Sequence, residues 1–141
     1  MVGPFLIAAL LVPAVDHGVK RLVVARLGGR PVSLGALGQL RAVRAQIWSA
    51  RALGGLSLRA MWIAWLVATA ASLAVATVAP QLGWAFGLLV GGALSHALET
   101  WRHGSVCDYV CLRFWPAFDL ADVALTAGAA GIALELLSLA S

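Results

Sequence analysis

From Met61 to Ala79 the chain runs nineteen residues without a charge, between Arg59 and Pro80, and this stretch constrains its fold more than any other feature. An α-helix rises about 1.5 Å per residue, so nineteen residues nearly cross a hydrocarbon layer of roughly 30 Å. Three further apolar stretches accompany it. One runs from Val2 to Val15 and continues through Val19 toward Leu22, one from about Leu82 to Leu98 and one from about Ala117 to Leu139. Of the 141 residues 62% are hydrophobic and 11% charged, whereas a soluble domain has about a quarter of its residues charged. The expected fold is an all-α membrane protein: one domain over residues 1–141, with four transmembrane helices and a small surface-lying β and amphipathic segment between helices 1 and 2. Met1 opens the first helix without a basic stretch, and no small-residue cleavage site precedes Asp16, so no removable signal peptide is expected.

Between the first two spans, residues from Ala25 to Leu58 mix Gly28, Gly29, Pro31, Gly35 and Gly38 with Arg26, Arg30, Arg41, Arg44 and Arg51. Such turn-formers among arginines suit short strands and an amphipathic piece on the membrane surface, not a span. The Pro80-Gln81 turn is so short that helix 3 must return antiparallel beside helix 2. Gly87, Gly91, Gly92 and Ala93 let that helix approach its neighbours closely. Trp48, Trp62, Trp84, Trp101 and Trp115 lie near the ends of apolar runs, where indole rings favour the membrane interface.

The charges gather on one side. All ten Lys and Arg residues fall in two connections, Lys20 to Arg59 and Arg102 to Arg113, which an even number of spans separates. Asp16, Glu99, Asp108, Asp119 and Asp122 join them there, with His17, His96 and His103. The net charge of +4 points to anionic lipid headgroups as partners and not to nucleic acid. Long arginine side chains reach water by snorkelling, but short carboxylates near a bilayer cannot, so Asp108, Asp119 and Asp122 mark a functional site. His96, Glu99 and His103 also share one helical face, to which Asp108 or Asp119 could add a metal ligand. That spacing matches no established metal motif, and neither metal nor cofactor is expected. Cys107 and Cys111 lack CxxC spacing.

The segment from Gly91 to Gly128 carries Gly91-Gly92-Ala93-Leu94, then Arg102-His103-Gly104, then Val106-Cys107-Asp108-Tyr109, then Trp115-Pro116-Ala117-Phe118-Asp119-Leu120-Ala121-Asp122. In this order the pieces resemble the C-terminal half of signal peptidase II, the membrane aspartic protease family that processes bacterial prolipoproteins. Asp16-His17-Gly18-Val19-Lys20 is similar to that family's D-x-x-x-K at the end of helix 1. The resemblance implies a multi-pass protein of the bacterial inner membrane that cleaves a lipidated, membrane-anchored polypeptide near the outer interface. It makes Asp108 and Asp122 the catalytic pair, supported by Asp16, Lys20, His96, Glu99, Asp119 and Phe118. Two carboxylates in one partly dry pocket cannot both ionise cheaply, which supplies an acid and a base at neutral pH. One activates water while the other polarises the scissile carbonyl.

The sequence also departs from the family. His96 stands at an asparagine position, Glu99 at an aspartate, Thr100 at an arginine and Asp119 at an asparagine, and the family's N-x-G-x-A-F element is not recognisable from Val43 to Trp48. The alternative reading is a catalytically silent homologue that binds lipid or a helical partner as a subunit of a larger membrane complex.

Overall fold

A computed structural model describes residues 2–27, 29–45 and 57–140. Four long helices follow the apolar stretches: α1 (Gly3–Leu27), α2 (Leu58–Val78), α3 (Gly83–His103) and α4 (Leu120–Ala140). A three-stranded antiparallel sheet caps one end, in the order β1 (Val32–Ser33), β2 (Gly38–Ala45) and β3 (Val106–Leu112). Short 3-10 turns occupy Gly35–Leu37 and Pro80–Leu82.

The sheet reaches beyond the segment expected to hold it, because β3 comes from the connection between α3 and α4 and pairs with β2 along most of its length. Gly38 makes that pairing possible at the start of the central strand: its φ is 145°, and a Cβ there would run into the Cys111 carbonyl oxygen. The amphipathic piece expected after β2 falls at residues 46–56, outside the described residues.

Helices α1 and α3 both run past their expected ends, to Leu27 instead of Leu22 and to His103 instead of Leu98. Lys20 and Glu99 do not terminate these helices, because both turn inward and are paired. Arg26, Arg102 and His103 occupy last turns, where cations suit the negative end of a helix dipole. Helix α3 stops at Gly104, whose φ of 65° closes a left-handed cap and whose N–H donates to the Thr100 carbonyl at 2.8 Å. Helix α4 starts later than Ala117 because Phe118 is engaged with β3.

At the centre lies α3, packed against α1, α4 and α2. Glycines permit this: a Cβ on Gly87 would come 2.5 Å from the Phe5 carbonyl oxygen of α1, and one on Gly128 of α4 2.6 Å from the Ala85 carbonyl oxygen of α3. Phe5, Ala9, Ala76 and Val90 form the core, with Trp65, Leu73 and Phe86 against it. The outward faces are apolar instead of charged. Ile63, Leu66, Val67, Leu134 and Leu137 are more than half exposed, a surface that favours hydrocarbon over water. By length and composition α2 and α4 are able to cross a membrane, at mean hydropathies of 1.9 and 1.8.

Candidate active site

The site begins from one buried ammonium. Lys20 Nζ lies 2.9 Å from Asp16 Oδ2, one turn back on α1, 2.6 Å from Glu99 Oε2 on α3 and 2.5 Å from Asp119 Oδ2 just before α4. Asp16 and Asp119 are fully buried. Removing charges from water is costly unless they are paired in good geometry, and this cluster supplies several pairs at once. Ser95 Oγ donates to Asp16 Oδ2 at 2.6 Å, and Glu99 Oε1 accepts the Cys107 N–H at 2.9 Å. Lys20 therefore ties α1, α3 and the head of α4 together, and Glu99 fastens β3 to them. The second oxygen of Asp16 has no hydrogen-bond partner among the described residues.

Above this brace, α4 opens with a reciprocal cap. The Asp122 N–H donates to Asp119 Oδ1 at 2.9 Å, and the Asp119 N–H donates to Asp122 Oδ2 at 3.1 Å. This is the capping-box arrangement with aspartate in both positions, and it satisfies two otherwise orphaned helix donors. Phe118 docks the same segment onto β3 through its backbone: its N–H donates to the Val110 carbonyl at 3.0 Å, and its carbonyl accepts the Val110 N–H at 3.0 Å. On the other side of β3, the pairing slips between Leu40 and Val43, so that β2 carries one extra residue next to the position opposite Asp108. Such a bulge re-aims nearby side chains. His96 Nε2 sits 3.3 Å from both Asp119 oxygens and 3.6 Å from Asp122 Oδ1.

The electrostatics separate the carboxyl groups. Burial pushes Asp108 up to about 6, helped by the negative charges of Asp119 and Asp122. Burial would raise Asp119 too, but hydrogen bonds from His96 and Lys20 overcome it and hold that carboxyl well below the usual range.

Of the residues singled out in the sequence, Asp119, Asp122 and His96 contact one another, Asp108 feels their charges, and Asp16, Lys20 and Glu99 form the brace behind them. Phe118 contributes its backbone. The face of His96, Glu99 and His103 is not assembled as a ligand set, because Glu99 is engaged by Lys20 and Cys107 while His103 is exposed beside a different cavity. The ligand atoms that do cluster, within 4.8 Å of one another, belong to His96, Asp119 and Asp122, but the Lys20 ammonium already neutralises Asp119. Ser95 and Trp65 were not among the singled-out residues. Ser95 was legible, being four residues before Glu99 on one helical face. Trp65 donates its indole N–H to the Val90 carbonyl at 3.2 Å in mid-helix, away from any belt. Two apolar hollows flank the carboxylates, one of about 350 Å³ walled by Trp115, Phe118 and Val123, the other of about 450 Å³ walled by Met61, Trp65 and Leu125.

Two solved structures share this architecture, each described as a bacterial membrane enzyme determined by the in meso method. One, at 2.3 Å resolution, superposes with a TM-score of 0.79 over 99% of this chain and 90% of its own at 21% identity. The other, at 1.9 Å, gives 0.78 over 96% and 93% at 22% identity. The fold is thus the one these two structures share. The lipoprotein signal peptidase of Pelotomaculum thermopropionicum is 42% identical over 59 residues, and that of Halothermothrix orenii 46% over 50 residues. These alignments span 39% and 34% of the relatives' lengths, and 42% and 36% of this chain. The model of the family described as Signal peptidase (SPase) II matches residues 8–138, and the chain belongs to that family.

Proposed function

We propose that this protein is a four-span aspartic endopeptidase of the bacterial inner membrane that cleaves a membrane-anchored, prolipoprotein-like substrate near the interface. Family membership supports the reaction class, and one observation carries the site: Asp108 on β3 feels the charges of Asp119 and Asp122 at the head of α4, across a junction held by the Phe118 bridge. With Asp108 raised to about 6 by burial and by the charges of Asp119 and Asp122, the Asp108 and Asp122 pair holds a proton to higher pH than free carboxylates do, and that proton belongs to the pair. The ionised member takes a proton from water as the water attacks the scissile carbonyl. The protonated member hydrogen-bonds the carbonyl oxygen and stabilises its developing charge. The C–N bond of the tetrahedral adduct then breaks as the leaving amine takes the proton that the other carboxyl accepted from water, and no covalent enzyme intermediate forms.

Lys20, Asp16 and Glu99 act in this reading as positioning residues, holding α1, α3 and β3 at fixed distances from the head of α4. His96 and Asp119 orient Asp122. The two apolar hollows suit acyl chains and a hydrophobic peptide segment, because both present mainly aliphatic and aromatic side chains beside the carboxylates.

The test is incubation of the purified protein with a diacylated prolipoprotein, with and without Asp108→Asn. Cleavage that disappears in the variant supports the proposal. A folded wild-type protein that binds the prolipoprotein without cleaving it would instead establish the silent, partner-binding reading.

A further inference from the structure

A cavity of about 750 Å³ opens on the side of β3 away from Asp108. Successive strand residues face opposite ways, and Cys107, not Asp108, lines it. Three arginines from three different elements surround it: Arg21 from α1, Arg44 from β2 and Arg102 from α3. His17 and His103 add two imidazoles. All three arginines are exposed, and among the described residues none is ion-paired with a carboxylate. The one acid in the lining is Glu99, whose two oxygens are committed to Lys20 and the Cys107 N–H.

Three unpaired guanidiniums around one hollow repel each other, and nothing in the local helix or strand geometry requires them to converge. A shared anion removes the conflict. Phosphate fits best, since a guanidinium fork matches two phosphate oxygens at once and three forks can surround one tetrahedral group. Val24 and Leu27 make one wall apolar, as a glycerol backbone and the start of an acyl chain would need. We propose that this cavity binds a phosphate group, presented by the headgroup of an anionic phospholipid or as the free anion, at a site whose lining does not include Asp108, Asp119 or Asp122. The inference stands apart from the proteolytic reading, because it concerns binding alone.

The full chain, in uncharged detergent, is titrated with phosphatidylglycerol and with phosphatidylcholine, and lipid retention is read by native mass spectrometry. Wild-type protein is expected to bind phosphatidylglycerol at least tenfold more tightly than phosphatidylcholine. A triple variant, Arg21→Gln with Arg44→Gln and Arg102→Gln, loses that preference. A charge-matched control outside the cavity, Arg26→Gln with Arg30→Gln and Arg113→Gln, keeps it. Equal binding of the two lipids by wild type, or equal loss in both triple variants, overturns the site. Displacement of phosphatidylglycerol by millimolar inorganic phosphate identifies the free anion as a competent occupant, and persistence of the lipid assigns the site to phospholipid. Should the cavity variant fail to fold by circular dichroism, Arg44→Gln alone, at an exposed strand position, is expected to weaken phosphatidylglycerol binding at least threefold, and unchanged binding refutes the proposal.

Discussion

Asp119 bears on both the brace and the reaction. It is fully buried, holds Lys20 and His96, and accepts the Asp122 N–H. Its charge also helps to raise Asp108. Asp119→Asn keeps an oxygen for the cap but removes that charge, so the Asp108 carboxyl ionises at lower pH. An acid raised by a neighbour's negative charge falls back when the charge is removed. The acid limb of the pH–rate profile, with a midpoint near 6 in the wild type if Asp108 must ionise, is therefore expected to move to lower pH in Asp119→Asn, by only part of the shift because burial, the larger cause, remains, and an unmoved limb would sever Asp108 from the reaction. The brace makes a separate prediction. Lys20→Met leaves three carboxylates without their ammonium and is expected to cost about 3–5 kcal/mol, while Asp16→Ala costs more than Arg26→Ala, whose exposed side chain should stay within about 0.5 kcal/mol. Thermal unfolding in detergent measures all three. These residues were legible in the sequence because carboxylates and a lysine stand out within apolar runs. The role of Phe118 was not, since it acts through backbone groups that every residue possesses.

The helices were legible as elements because bilayer-length apolar runs admit few alternatives, but several of their ends were not, the C-terminal ends of α1 and α3 above all. Lys20 and Glu99 read as polar boundaries only until their mutual contact, 79 positions apart in sequence, is known. The same non-locality hid the pairing of β3 with β2, which joins connections on either side of α2 and α3. Glycine spacing, by contrast, reported close packing correctly for α3, and it separates two substitutions that are chemically identical. Gly18→Ala, in α1 with nothing within 4 Å of the new methyl, should stabilise by about 0.5–1 kcal/mol through helix propensity. Gly87→Ala would push a methyl against the α1 backbone at 2.5 Å and should destabilise by about 1–3 kcal/mol. Opposite shifts in melting temperature are the expected result. Two shifts of the same sign would mean that α1 and α3 are not packed as described.

The whole molecule is polarised, and its orientation follows from which of two arguments dominates. The sheet, the carboxylates and nine of the ten Lys and Arg residues, from Lys20 to Arg113, lie among the described residues at one end, while Pro80 turns at the other. Positive charge in short loops favours the cytoplasmic side, which would put the sheet inside the cell. The proposed function argues the reverse, since a protease that acted on exported lipoproteins would need its carboxylates at the outer interface. The charge rule weighs loops that compete for the cytoplasm, but arginines that rest on anionic headgroups, or around a bound phosphate, are satisfied in either leaflet. The reaction admits no such substitute, so the sheet is expected on the outer face. Cys107 is buried and Cys111 is partly exposed on β3, which makes Cys111 the reporter. A membrane-impermeant thiol reagent should label Cys111 in intact spheroplasts, and Cys111→Ser should abolish the labelling. Labelling that appears only after the inner membrane is broken would mean that charge governs and that the protein lies inverted, with its carboxylates facing the cytoplasm.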